Sequence, residues 1–168
     1  MPIEPRELRN IMGTFATGVT VVTMPNGEGA WGMTANSLTS LSLDPPLILV
    51  SVDKTTRTHQ IMLDSGVWAV NILAGDQEKT SRIFAMKDHN EERKMVDTPY
   101  HHGVSGAPII DGALAYIECR TYATYEGGDH TIVVGEVQDA RVLQHEGQPL
   151  LFFRGRYGSL ADPPPVAE

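Results

Sequence analysis

Between Trp31 and Thr58 the chain reads WGMTANSLTSLSLDPPLILVSVDKTTRT, and the residue types there suit a flat ligand that carries a phosphate. Thr34, Ala35, Asn36 and Ser37 are four consecutive small residues, so a planar ring could lie close against their backbone N–H and C=O groups. Asn36, Ser37, Thr39 and Ser40 add donors and acceptors without bulk. Leu47 to Val50 is a continuous apolar run, as expected of a strand covered on both faces. It delivers Ser51, Val52 and the Asp53-Lys54-Thr55-Thr56-Arg57-Thr58 turn to its end. There the hydroxyls, Lys54, Arg57 and the N–H groups of a starting helix could hold a phosphate. The plainer structural reading is a hairpin and a polar turn, with Thr56 or Thr58 serving as a helix cap.

Other chemistries find less support. His89, His101 and His102 carry ligand atoms, but adjacent residues on a strand point apart, and neither H-E-x-x-H nor paired-cysteine spacing accompanies them. No metal is expected. A G-x-S-x-G elbow is absent, as is a G-x-G-x-x-G run after a strand, and Gly103-Val104-Ser105-Gly106 is a loop signal only. Gly127-Gly128-Asp129-His130 is a glycine turn that places a histidine at a strand edge, where it could hydrogen-bond or stack.

The 168 residues carry a formal charge of -8, which argues against nucleic acid as the main partner, since phosphate backbones call for clustered Lys and Arg. An anionic cofactor needs only local positive charge, for which Lys54, Arg57, Lys79, Arg82 and Lys87 are candidates. No apolar run is long enough to span a membrane, and the first residues lack the order of a signal peptide. The single Cys119 excludes an internal disulfide framework. A cytoplasmic protein of one domain, residues 1–160, with a frayed tail at 161–168, is the expectation.

The elements that must position these groups follow from pattern. Leu8, Ile11, Met12 and Phe15 recur at helical spacing, which predicts a helix over 5–15 with one face buried. Val19 to Thr23 and Ala30 to Ala35 read as a hairpin about the Pro25-Asn26-Gly27 turn. A helix around His59 to Leu63 closes at Gly66, a strand covers 67–72, and a second helix starts at Asp76. Residues 86–102 are charged and without apolar period, a surface excursion or a lid. Leu114 to Tyr125 and Thr131 to Val142 are long strands. On the first, Ala115, Ile117, Cys119, Thr121 and Ala123 form a smaller, mainly apolar face opposite Tyr116, Glu118, Arg120 and Tyr122. On the second, Gly135 marks a bulge or a close approach. Many strands with few short helices point to an antiparallel barrel, a mainly β fold.

The ordered set G-M-T-A-N-S, S-L-D-P-P-L-I-L-V-S-V and T-R-T-H resembles the short-chain flavin reductases that supply reduced flavin to two-component monooxygenases, and the likeness runs from the helix at Pro5 to Tyr157. It implies a Greek-key split β-barrel, a homodimer, FMN or FAD as flavin, NADH or NADPH as reductant bound without a Rossmann domain, and a separate oxygenase as partner. It further implies that Thr34, Ala35, Asn36 and Ser37 line the flavin slot, that Ser51 and Val52 face it, and that Lys54, Arg57 and Thr58 address the phosphate. Ser81 and Arg82 would touch the flavin tail. Asp129 and His130, in the Gly-Asp-His motif, would border the nicotinamide, and Tyr157 would border the flavin. No catalytic acid or base is expected, because hydride passes directly between cofactors that carry the chemistry themselves. Two rivals share the barrel: a non-catalytic flavin-binding or redox-sensing module, and an FMN-dependent oxidase of the pyridoxamine-phosphate oxidase type.

Overall fold

A computed structural model describes residues 3–86, 95 and 97–161. Its elements run α1 (Pro5–Met12), β1 (Thr17–Gly18), β2 (Thr20–Asn26), β3 (Gly29–Ala35), β4 (Thr39–Leu43), β5 (Pro46–Asp53), α2 (Arg57–Ser65), β6 (Val67–Ile72) and α3 (Glu78–Ala85). The second half follows as β7 (Tyr100–His102), β8 (Pro108–Ile110), β9 (Ala115–Gly127), β10 (His130–Val142), β11 (Leu151–Phe153) and β12 (Arg156–Gly158).

Seven strands form one antiparallel sheet in the order β3-β2-β6-β9-β10-β5-β4. Its edges, β3 and β4, are consecutive in sequence and joined only by Asn36-Ser37-Leu38. The sheet curls, because residues from both halves bury into one core: Val22, Met24 and Trp31 near one edge meet Ile48, Val50 and Val52 near the other. Trp68, Cys119 and Val133 fill the middle, and Ile61 and Met62 of α2 join the same cluster. Each such side chain contributes roughly 1.5–3 kcal/mol of transfer free energy. The result is the expected mainly β barrel, open along one seam where the small polar residues lie.

A second apolar layer, with Val21, Ala30, Leu73, Phe84 and Leu150, packs α3 and the β1-β11-β12 sheet onto the outside of β2 and β3. Gly135 fulfils both expectations: the β9–β10 register shifts beside it, and a Cβ there would lie 2.7 Å from Cys119 and closer still to the Trp68 ring.

Three expectations need correction. The predicted helix over 5–15 stops at Met12 and buries no residue; Leu8, Ile11, Met12 and Phe15 are 48 to 69% exposed, because none of the described residues covers that face. Thr39–Leu43, which reads as a polar turn, is strand β4, made extended by its ladder with β5. Within 86–102, Tyr100–His102 is a strand paired with Pro108–Ile110, and Met95 and Thr98 are buried; residues 87–94 and 96 lie outside the described residues, as does the tail beyond Ala161. On the β9 face opposite Ala115, Ile117 and Cys119, Tyr116 and Glu118 are buried under the 103–110 segment. Ser105 N–H donates to Glu118 Oε2 at 2.7 Å, and a Cβ at Gly103 would overlap the other carboxylate oxygen. Among the described residues no helix is long and apolar enough to cross a membrane.

Candidate functional site

At the seam lies a cleft of about 290 Å³. Its floor comes from β3 and the link after it: Thr34, Ala35, Asn36 and Ser37. Ser51 and Asp53 of β5 form the facing wall, with Thr56 and Thr58 at the start of α2. Phe84, Ala85 and Met86 close the α3 side, and His130 stands at the mouth. Residues separated by nearly a hundred positions meet here because β10 pairs with β5, which sets His130 opposite Asp53.

Several groups are braced by hydrogen bonds that leave backbone amides and rings in fixed places. Ser37 Oγ accepts from Ser51 N–H at 3.1 Å, tying the two lips of the seam together. Thr34 Oγ1 donates to Ser81 O at 2.6 Å, tying β3 to α3. Gly32 is needed beside it, since a Cβ would stand 3.0 Å from the Phe84 ring. At α2, Thr56 caps the helix by accepting from His59 N–H, and Thr55 donates through both its N–H and its hydroxyl to Asp53 Oδ1. This geometry holds the first amides of α2 beside the cleft, where the helix end favours negative charge.

Two arginines near the site, Arg57 at the start of α2 and Arg82 on α3, each lie over an aromatic ring. The Arg57 guanidinium sits 4.8 Å from the Trp31 centroid, and Trp31 Nε1 donates to Thr58 Oγ1 at 2.9 Å. The Arg82 guanidinium sits 4.7 Å from the Tyr157 centroid and pairs with Glu78. Ser81 is fully buried, and its hydroxyl is 2.8 Å from the Tyr157 hydroxyl. A planar cation over a ring keeps its charge while losing freedom to wander.

The β9–β10 turn is a two-residue loop with Gly128 at φ 73°, a conformation a side chain would strain. His130 Nδ1 donates to Asp129 Oδ1 at 2.7 Å, and that bond, then the imidazole charge, holds the Asp129 carboxyl below its ordinary range. That bond occupies Nδ1 and leaves Nε2 as the second ring nitrogen, an acceptor when the ring is neutral and a donor when it is charged.

The expected residues therefore fall into two groups. Thr34, Ala35, Asn36, Ser37, Ser51, Thr58 and His130 share the cleft. Val52 does not, for its side chain is core, although its backbone neighbours Ser51. Ser81, Arg82 and Tyr157 form a cluster behind Thr34, Arg57 lies on Trp31, Asp129 on His130, and Lys54 on the β9–β10 turn. Reading the sequence missed Phe84, Met86, Thr56 and Asp53 as cleft walls. Only Asp53 and Thr56 carried a signal, being part of the same polar turn. Among the described residues no three His, Cys, Asp or Glu side chains gather as metal ligands would; His101 pairs with Asp111, and His89 lies outside the described residues.

Residues 12–161 match the model of the flavin reductase like domain, and the chain belongs to that family. The FMN reductase (NADH) SmoA of Agrobacterium fabrum is 42% identical over 153 residues, covering 91% of this chain and 84% of that protein. A reductase subunit of a flavin-dependent monooxygenase, HsaB of Rhodococcus jostii, is 36% identical, covering 92% of this chain and 77% of its own. Among solved structures, the NADH:FAD oxidoreductase of Streptomyces globisporus in complex with NAD and FAD fragments aligns with a TM-score of 0.86 at 41% identity, covering 96% of this chain and 97% of that one. The barrel with its open seam is thus the split barrel of the flavin reductases.

Proposed function

We propose that this protein oxidises NADH or NADPH, reduces FMN or FAD, and releases the reduced flavin to a separate monooxygenase. The observation that carries the reading is the cleft itself: small residues 34–37, Ser51, the α2 amides and His130 converge on one slot. The residues present fit a flavin. The slot is near the lower end of ligand-sized cavities, as suits one planar ring system with its tail outside. Its floor offers backbone groups without bulk, and Arg57 and the α2 N-terminus stand where a phosphate would find positive charge. Hydride chemistry belongs to the cofactors when bound. The chain's own part is to stack, orient and dry the two rings, with Asn36 and Ser37 at the ring edge and His130 beside the nicotinamide. Arg82, Ser81 and Tyr157 hold the tail side, and Asp129 fixes the His130 ring.

The relatives' names divide between FMN and FAD, and those with a stated reductant name NADH. We place the protein in the cytoplasm, on the thiol form of Cys119, and read it as a homodimer. The exposed apolar face of α1 supports the dimer, together with a groove of about 790 Å³ that runs from Met12 and Phe15 to Asn36 and Ser37. A second copy seated there would wall the cleft from outside.

The test is oxidation of NADH and of NADPH by purified protein without flavin, with FMN and with FAD. Consumption that saturates with added flavin is expected. Flavin binding without consumption would favour the sensor, and turnover by tightly held FMN that ignores free flavin would favour the oxidase. Ser37→Trp should fill the slot and abolish flavin binding; normal fluorescence quenching in that variant would move the site elsewhere.

A further inference from the structure

The β5–α2 connection and the β9–β10 turn lie far apart in sequence, yet one side chain fastens them. Lys54 follows the last residue of β5. Its Nζ donates to Gly128 O at 2.8 Å and pairs with Glu126 Oε2, while its backbone N–H donates to Asp129 O at 3.1 Å. The Glu126 carboxyl is held below its ordinary range, first by the hydrogen bond from Lys54 and then by its charge. These partners draw the ammonium to the turn, and Lys54 does not line the cleft.

Residues 124–129 form the exposed tip of the long β9–β10 pair, and His130 is the first residue of its returning strand, where the ladder with β5 begins opposite Asp53. One other side-chain tie lies next door, between His59 Nε2 and Thr131 Oγ1 at 2.8 Å. A charged donor makes bonds about twice as strong as a neutral one. Small displacements of an orienting group are costly to a reaction that depends on the approach of two rings.

We propose that Lys54 is a positioning residue: it pins the Gly127–His130 turn to the β5–α2 connection and so sets His130 over the cleft, acting through His130 and not by contact with a flavin phosphate. The proposal rests on the reading that His130 borders the nicotinamide. With the Lys54 side chain removed, the β5–β10 ladder, the Lys54 N–H bond to Asp129 O and the Thr131 tie keep the fold, while the turn and the His130 ring lose their fixed height over the slot.

The test compares wild type, Lys54→Met, Lys54→Arg, Glu126→Gln, His130→Ala and the double variant Lys54→Met/His130→Ala. NADH KM and kcat are measured at saturating flavin, and flavin Kd by fluorescence quenching. Lys54→Met should raise the NADH KM about tenfold, the loss of a charged hydrogen bond, with flavin Kd changed less than about twofold. Lys54→Arg should restore most of it, and Glu126→Gln should raise KM by a smaller factor. The double variant should be no worse than His130→Ala alone, since a residue that acts through another adds nothing once that other is gone. A rise in flavin Kd with NADH KM unmoved would make Lys54 a phosphate ligand and overturn the proposal. So would an unchanged KM in both Lys54→Met and Glu126→Gln while His130→Ala raises it. An unchanged KM in His130→Ala would instead sink the nicotinamide reading beneath.

Discussion

Helices α1 and α2 are nearly the same length and both amphipathic, yet they meet opposite fates. Helix α2 has a hydroxyl cap at Thr56, a left-handed Gly66 at φ 63° whose N–H reaches Met62 O, and Thr58, Ile61 and Met62 buried. Helix α1 has no side-chain cap and buries nothing, although Leu8, Ile11 and Met12 share a face. Periodicity states that a helix has an apolar side; it does not state what covers it. For α2 the cover is the barrel's own core. For α1 none of the described residues supplies it.

The contrast is sharpest in the core. Met62→Ala removes a fully buried side chain and should cost about 2–5 kcal/mol, read as a lower urea midpoint. A loss below about 1 kcal/mol would mean that α2 is held by its caps and not by its packing. The matching change on α1, Ile11→Glu, should barely alter the fold of a single chain. If α1 is a contact between copies, it should convert dimer to monomer in light scattering at micromolar concentration. An unchanged mass would leave α1 an uncovered surface helix. Thr56→Ala tests the cap and should cost about 1 kcal/mol, since it removes the hydroxyl acceptor of the His59 N–H and leaves only its bond to Thr56 O. No alanine change at Glu4, which caps nothing with its side chain, should match it.

The smallest effect concerns pH. Glu126 and Asp129 have folded pKa values below their ordinary 4.5 and 3.8, through Lys54 and His130 respectively. A lowered folded value means stability that is fully present above the ordinary value and lost as pH falls through the folded one. Glu126→Gln should therefore lie closer to wild type in thermal midpoint near pH 3 than near pH 6. Both carboxylates are exposed, so the difference will be small.

Much of this was legible in the residues. The apolar run at Leu47, the long strands about Gly128 and the small residues 34–37 announce themselves by period or by size, and residues 34–37 line the cleft. What stayed hidden was decided by partners. Thr39 to Leu43 has no strand pattern of its own and takes one from β5. Glu118 sits on the β9 face opposite Cys119, and the return of the 103–107 loop, with Gly103 against its carboxylate, dries it. Phe84 reads as part of a helix and Met86 as the start of the charged 86–102 stretch, and nothing in their types says that they stand at a ligand's edge.

The burial of Cys119 has one more consequence. Reduced flavin set free in air turns oxygen into peroxide, and peroxide attacks thiolates. Cys119 has no exposed surface, and burial, reinforced by the neighbouring Glu118 charge, pushes its thiol up to about 12. At neutral pH it offers almost no thiolate and no path to it. A reductase built this way carries its one sulfhydryl through its own exhaust, and any cysteine introduced on its surface would be the only one a maleimide dye could find.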